Sequence, residues 1–276
     1  MRVHLRAVAA ETVEIASRGW YLTGEGNRVD LGDLVAAAVA GTRLYQAGDP
    51  VPAAVPAGTG LVVTVVNQTT LAAARVLGGD VACLVFASAR HPGGGFLNGA
   101  RAQEESLARA SALYACQNAA PGFYDFHRQH PDPRYSDRVI YAPAVPVFRD
   151  DDGTLLAQPY LVSFLTAAAP NLGAILASQP DAAASVPDVV RGRAARVLGI
   201  AAAHRHRRLI LGAWGCGAFH NDPALVAATF ASLLRDQPGW FDQVVFAVHD
   251  QQPATPTYAA FASALAPAAT TRDQDR

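Results

Sequence analysis

The sequence predicts a three-layer α/β/α domain built on a mixed central sheet. Three observations carry this: short, nearly continuous apolar runs, helical patterns alternating with them, and two glycine-rich segments placed between a strand and a helix. The chain has 276 residues, 51% of them apolar and 16% charged, enough for a substantial buried core.

Taken in order, the N-terminal stretch MRVHLRAVAAETVEIASRGW carries Arg6, Glu11 and Glu14 inside an apolar periodicity, and predicts an amphipathic helix in place of a secretory signal. Residues 1–55 show helical pattern only and are expected to form an extension packed on a core of residues 56–265. A polar tail, 266–276, follows and is expected to be mobile. Five runs rich in Val, Ile and Leu predict strands covered on both faces: LVVTVVN (61–67), VACLVFAS (81–88), RVIYAPAVPVF (138–148), LILGAW (209–214) and VVFAVHD (244–250). YLVSFLTAAA (160–169) is a weaker sixth. Helices are expected near 69–78, 103–118, 187–205 and 222–236, the last opening with Asn221 or Asp222 as N-cap and Pro223 at the first helical position. DDDG (150–153) predicts a hairpin turn, and HRHRR (204–208) a solvated helix end.

Composition excludes several functions. The net charge of -1 gives no general electrostatic grip on nucleic acid, so duplex binding is not expected. All 22 basic residues are arginine, which removes a Schiff-base lysine and a Walker-type phosphate lysine together. No run of eighteen apolar residues predicts a membrane span. Cys83, Cys116 and Cys216 are odd in number and lie at no metal-ligand spacing, so neither a disulfide framework nor a metal site is expected, and a reducing cytoplasm is.

The chemistry gathers at the two glycine segments. Gly93, Gly94 and Gly95 follow a strand and precede a helix, so their N–H groups are expected to form a nest for an anion, phosphate above all. Gly212, Gly215 and Gly217 repeat the design before the helix at Asp222, and two such loops facing one crevice suggest a diphosphate. Phe219 is read either as packing beneath that helix or as a ring facing a sugar or base. Cys216 is read as a small loop-lining residue in preference to a nucleophile paired with His220. Glu104 and Glu105 are adjacent on a helix and project about 100° apart, so they are not expected to reach the same spot. They are either a solvated pair favoured by the helix dipole or a site in which burial and a neighbouring charge raise a carboxyl pKa for general-acid work. An anion cradle beside a proton donor points to glycosidic cleavage in a phosphorylated sugar.

The motif GGGFLNGARAQEE resembles the signature of the poly(ADP-ribose) glycohydrolases, in their bacterial-type branch. IYAPAVPVFRDDDG, TAAAPN and GAWGCGAFHNDP resemble that branch too, in the same order, over roughly residues 60 to 250. The resemblance implies a macrodomain with an N-terminal helical extension, acting on poly(ADP-ribose) and ADP-ribose without a cofactor; a monomer is expected, though no residue pattern bears on oligomeric state. By it, Glu105 matches the catalytic acid, Glu104 the adjacent ribose-binding glutamate, and Gln103 supports the pair. Gly93, Gly94 and Gly95, with the loop Gly215, Cys216, Gly217, Ala218 and Phe219, match the two diphosphate-contacting loops, Phe219 lying near the distal ribose. Asn98 is a polar contact or loop brace. His91 stands where the family pattern has Asn, which leaves the bracing of the loop in question. The competing functions are a non-catalytic reader of ADP-ribose and a hydrolase of single ADP-ribose units on protein side chains. In some relatives the C-terminal segment crowds the next ribose, and the tail beyond residue 265 is a candidate for the same task. Because one carboxyl is expected to serve as acid and then base, turnover should survive a chelator. Activity lost in EDTA and restored by a divalent ion would overturn that mechanism.

Overall fold

The structure is a computed structural model that describes residues 2–58 and 60–266, so the expectations for the C-terminal tail beyond Ala266 lie outside the described residues. In chain order the elements are α1 (Arg2–Arg18), β1 (Trp20–Leu22), β2 (Arg28–Asp30), α2 (Gly32–Gly41), β3 (Arg43–Tyr45), β4 (Val62–Val66), α3 (Thr70–Leu77), β5 (Val81–Phe86), α4 (Gln103–Ala110), α5 (Leu113–Asn118) and α6 (Pro121–Gln129). They continue as β6 (Val139–Arg149), β7 (Leu155–Ala167), α7 (Leu172–Ser178), α8 (Val186–Ala203), β8 (Arg208–Leu211), α9 (Pro223–Asp236), β9 (Gln243–Ala247) and α10 (Pro256–Ala264).

Seven strands form one mixed sheet in the order β3-β6-β7-β5-β8-β9-β4. β6 runs antiparallel to β3 and β7, while β7, β5, β8, β9 and β4 run parallel to one another. The pairings Phe86↔Ala167, Leu211↔Phe246 and Val66↔Ala247 bring the carboxyl ends of all five parallel strands to one edge, where open α/β sheets bind ligands.

The continuous apolar runs have a simple cause. On β5 the side chains alternate faces: Ala82 and Leu84 join the core under α8 and α9, and Val81, Cys83 and Val85 join the core under α3, α4 and α5. β7, the weaker expectation from sequence, is the longest strand at 13 residues; its first half runs beyond β5, pairs only with β6 as a strand and stays partly exposed. The predicted DDDG turn joins the two, with Asp150 Oδ1 accepting from the N–H groups of Asp152 and Thr154. Asp222, not Asn221, caps α9, its Oδ1 accepting from Ala224 N at 2.9 Å.

Three expectations need correction. Residues before 50 contain more than helices: β1 and β2 form a hairpin, and β3 is an edge strand of the main sheet. Strands of three residues are too short to show a period of two. The helix expected over 103–118 is broken, because Ser111 is extended and bridges to Val147. Its Oγ donates to Leu107 O and accepts from Leu113 N, a local alternative to the helical ladder that serine offers. Finally, HRHRR is not a solvated end. Arg205 adopts φ +63, and the turn drives His204 and His206 inward. His204 stacks on Tyr141 at 3.6 Å between ring centroids, and its Nε2 lies 2.8 Å from Tyr45 OH on the edge strand. His206 Nε2 lies 2.8 Å from Tyr141 OH.

Burial holds the His204 imidazole down to about 4 and lowers that of His206 as well. His204 is therefore neutral near pH 7 when folded, whereas in the unfolded chain it protonates near 6.5. The unfolded state binds more protons as pH falls below that value. The contribution of His204 to stability is thus fully present above pH ~6.5 and is lost progressively toward pH ~4. Urea melts across that range should show the decline. His204→Phe, which keeps a stacking ring, should flatten part of it while costing about 1 kcal/mol at neutral pH for the lost Tyr45 hydrogen bond. A pH profile unchanged by the substitution would remove His204 from the account.

Candidate active site

The first glycine segment closes the connection from β5 to α4. Gly93 and Gly94 have φ of +65 and +58, a region that L side chains rarely adopt. A Cβ on Gly93 would sit 2.7 Å from the Phe96 ring, and one on Gly94 would sit 2.5 Å from Glu105 Oε1 and 3.1 Å from Glu104 Oε2. The glycines therefore supply room, and what fills it is the carboxylate pair.

Two expectations change here. The N–H groups of the triple glycine do not form an open nest: Gly93 N donates to Gln117 Oε1 at 2.7 Å, Gly94 N to His91 O at 3.0 Å and Gly95 N to Glu105 Oε1 at 2.9 Å. And Glu104 and Glu105 do converge. Their Cα–Cβ directions diverge as adjacent helical positions must, but three further bonds in each side chain carry both carboxyls back to Gly94.

The two carboxyls sit in different settings. Glu104 is only 2% exposed; its Oε2 accepts from Ser88 N at 2.6 Å and its Oε1 from Gln117 Nε2 at 2.9 Å. Burial pushes its pKa up to about 8, with the neighbouring Glu105 adding to the rise and the Ser88, Gln117 and Gly93 donors opposing it. Glu104 is consequently neutral near pH 7. Glu105 is fixed through Oε1 by Gly95 N–H, and among the described residues no donor is bonded to its Oε2.

Around the pair, Gln103 is fully engaged with the protein: Oε1 accepts from Phe86 N, and Nε2 donates to Leu84 O and Thr70 Oγ1. It pins the first turn of α4 to β5 and α3. Asn98 is exposed and braces through its carbonyl, which accepts from Arg6 Nε at 3.2 Å. His91 is exposed as well and supports the loop through its backbone, donating to Ser88 Oγ and accepting from Gly94 N. Main-chain bracing of this kind is indifferent to His or Asn. Sequence reasoning missed Gln117, which is fully buried and joins Glu104, Gly93 and Thr166. The signal was present: on the apolar stripe Leu107, Ala110, Tyr114, the next position is this glutamine.

The second loop leaves β8. Gly215 has φ +75, and a Cβ there would lie 2.3 Å from Asn221 Nδ2 and 2.5 Å from Ala169. Trp214 Nε1 donates to Ala167 O at 3.0 Å and anchors the loop to the end of β7. Gly217 and Ala218 are exposed, and among the described residues no acceptor is bonded to the N–H groups of Gly217, Ala218 or Phe219. A side chain at Gly217 would meet nothing within 4 Å. Phe219 packs partly on the core and meets Tyr135 at 5.9 Å between ring centroids. Burial pushes the Cys216 thiol up to about 12, so it stays protonated and is no nucleophile.

Between the start of α4 and this loop lies a cavity of about 360 Å³, lined by Phe86, Ala102, Gln103, Cys216, Gly217 and Val248 among others. Glu104 and Glu105 are not among its lining residues; they face Gly94.

A family model of the catalytic domain of microbial-type PARG matches residues 9–150. No curated protein matches the chain. Among solved structures, the chain is similar to the poly(ADP-ribose) glycohydrolase of Thermomonospora curvata, with 53% identity and a TM-score of 0.87 over 95% of this chain and 100% of that one. The same protein bound to the inhibitor ADP-HPD matches equally well, with 53% identity and a TM-score of 0.87 over 95% of this chain and 99% of the other. The Deinococcus radiodurans enzyme in complex with ADP-ribose is 43% identical, with a TM-score of 0.79 over 86% of this chain and 99% of that one.

The two loops should respond differently to one added methyl group. Gly94→Ala forces a left-handed alanine against two carboxyls and should destabilise the fold by about 1–3 kcal/mol, whereas Gly217→Ala should change stability by less than about 0.5 kcal/mol. Chemical denaturation of both variants checks this. Equal losses would mean that the two loops are not distinguished by their packing.

Proposed function

The chain belongs to the microbial-type poly(ADP-ribose) glycohydrolases, and from that premise we propose that it hydrolyses the ribose–ribose glycosidic bonds of poly(ADP-ribose) and releases ADP-ribose. The observation that carries the reading is the meeting of two carboxyls at Gly94, with Glu105 held through Oε1 alone and Glu104 buried beside it. A protein that only read ADP-ribose would need an anion site but no proton donor beside it.

In this reading Glu105 is the acid and base. Gly95 N–H fixes Oε1 and leaves Oε2 to carry the proton. That proton passes to the 2′-oxygen of the leaving ribose as its bond to the distal ribose breaks. The oxocarbenium-like sugar is then attacked by water, whose proton returns to Glu105. Charges and atoms balance with one carboxyl in both roles, unlike the two-carboxylate arrangement of most glycosidases. Glu104, neutral near pH 7, donates a hydrogen bond to a ribose hydroxyl and places no second charge against the diphosphate. The exposed N–H groups of the second loop hold the diphosphate, Phe219 faces the distal ribose, and the cavity between the loops takes the nucleoside. The three free thiols support a cytoplasmic setting.

Single-turnover release of ADP-ribose tests the roles. Glu105→Gln should slow it by a factor on the order of 10²–10⁴ with ADP-ribose affinity little changed. Glu104→Gln should slow it less, since it replaces one neutral polar group by another. Raising pH through about 8 ionises Glu104, so ADP-ribose affinity should decline there in the parent protein and not in Glu104→Gln. Near-parental turnover in Glu105→Gln would falsify the mechanism, and a dead Glu104→Gln would reverse the roles.

A further inference from the structure

We propose that Tyr135 is a positioning residue for the sugar beside the scissile bond, acting through the ring of Phe219. This rests on the placing of Phe219 at the distal ribose.

Tyr135 has φ +58, an uncommon conformation for a bulky residue and one that persists only when the surroundings over-determine it. They do so here from three elements. Asn171 N donates to Pro133 O at 2.8 Å. Ser136 donates its N–H to His127 Nε2 at 3.1 Å. Arg193 of α8 donates to Arg134 O at 3.0 Å and to Asp137 Oδ1 at 2.9 Å. Arg193 is only 1% exposed, and among the described residues its one other bond goes to Ala168 O. A buried guanidinium is costly, and this one is devoted to fixing the loop that carries Tyr135 to the end of β7.

The same short segment holds the other ring. Asn171 reaches the Tyr135 loop, and two residues on, Gly173 N donates to Phe219 O at 3.1 Å. The approach is close: a Cβ on Gly173 would lie 2.7 Å from the ring of His220, which has φ +59. Two left-handed residues thus flank one ring pair, 5.9 Å apart and inclined at 47°, with a common staple behind it. The turn alone would be served by glycine at position 135 without strain. What the strained tyrosine adds is a ring lodged between His127 and Phe219. Loosening Phe219 lets the sugar drift from Glu105, and displacements of about 1 Å are enough to slow a reaction severely.

The test uses Tyr135→Phe, Tyr135→Asn and Tyr135→Gly, with Phe219→Ala alone and combined with Tyr135→Gly. Asn tolerates the left-handed region and Gly relieves it, so a folding defect in one variant does not hide the effect of losing the ring; thermal melts verify both. Single-turnover rates on poly(ADP-ribose) and calorimetric titrations with ADP-ribose and AMP are measured. Tyr135→Asn and Tyr135→Gly should lower the rate about tenfold and weaken ADP-ribose a few-fold, with AMP, which lacks the distal ribose, unaffected. Tyr135→Phe should behave as the parent, and Tyr135→Gly should add nothing once Phe219 is alanine. Parental rates in the ring-less variants, equal losses for AMP, or a full further loss in the double variant would overturn the positioning role while leaving the placing of Phe219 intact. A neutral Phe219→Ala would overturn that placing and the role of Tyr135 with it.

Discussion

Everything at this site depends on keeping the Glu104 carboxyl out of water. With 2% exposure it is held by Ser88 N, at the end of β5, and by Gln117, on α5. Gln117 in turn takes Gly93 N–H, so a single buried amide joins the carboxyl, the glycine loop and, through Thr166, β7. A side chain satisfied on all its polar atoms in a dry setting is rigid, and a half-satisfied one would be costly. The same dryness sets the proton: burial, more than any partner, keeps Glu104 neutral. The like-charge problem posed by two adjacent glutamates is therefore solved before any ligand arrives.

That arrangement needs a stiff wall behind the glycine loop, and the N-terminal helix provides it. Phe96 is fully buried in a small cluster with Ala9 and Ala108, next to Val13 and Tyr114. Arg6 reaches Asn98 O, and a Cβ on Gly99 would lie 2.8 Å from Arg2 O, so α1 packs directly on the turn that follows the triple glycine. Farther along, buried Arg149 donates to Thr12 Oγ1 and Glu11 Oε2 and ties α1 to the β6–β7 turn. The N-terminal helix is thus part of the glycine loop's support, and β3 extends the sheet itself.

The layers, the mixed sheet and the alternation of strands with helices were legible because a strand covered on both faces has to be apolar throughout, as β5 is. The glutamates, the two loops and their order along the chain were legible from residue type and spacing. What escaped were features decided by tertiary bonds. Ser111 breaks a helix whose periodicity runs straight through it, since Ala112 N finds Pro146 O on β6. His204 and His206 belong to a run that reads as a charged helix end, yet His206 is buried and His204 packs on Tyr141, because the chain turns at Arg205. Gln117 sits on an apolar stripe, where a lone polar residue signals a buried partner without saying which. The meeting of Glu104 and Glu105 at Gly94 also lay beyond periodicity, which fixes where Cβ points but not where a carboxyl three bonds further on comes to rest.

The two glycine loops show how far such similarity can mislead. In sequence both are strand, glycines, helix. In the folded chain the first is closed on itself: its three N–H groups serve Gln117, His91 and Glu105, and its glycines are required because carboxyls and a phenylalanine ring occupy the space where Cβ atoms would be. The second is closed at Gly212, against Ala247 O and the Phe86 ring, and at Gly215, wedged against Asn221 and Ala169, and it opens at Gly217, beside exposed main chain and free space. An anion is held by N–H groups that have no other acceptor, so in the proposed reaction the second loop binds charge and the first presents the proton. The distinction lies in hydrogen-bond accounting, one N–H at a time, and glycine content alone does not contain it.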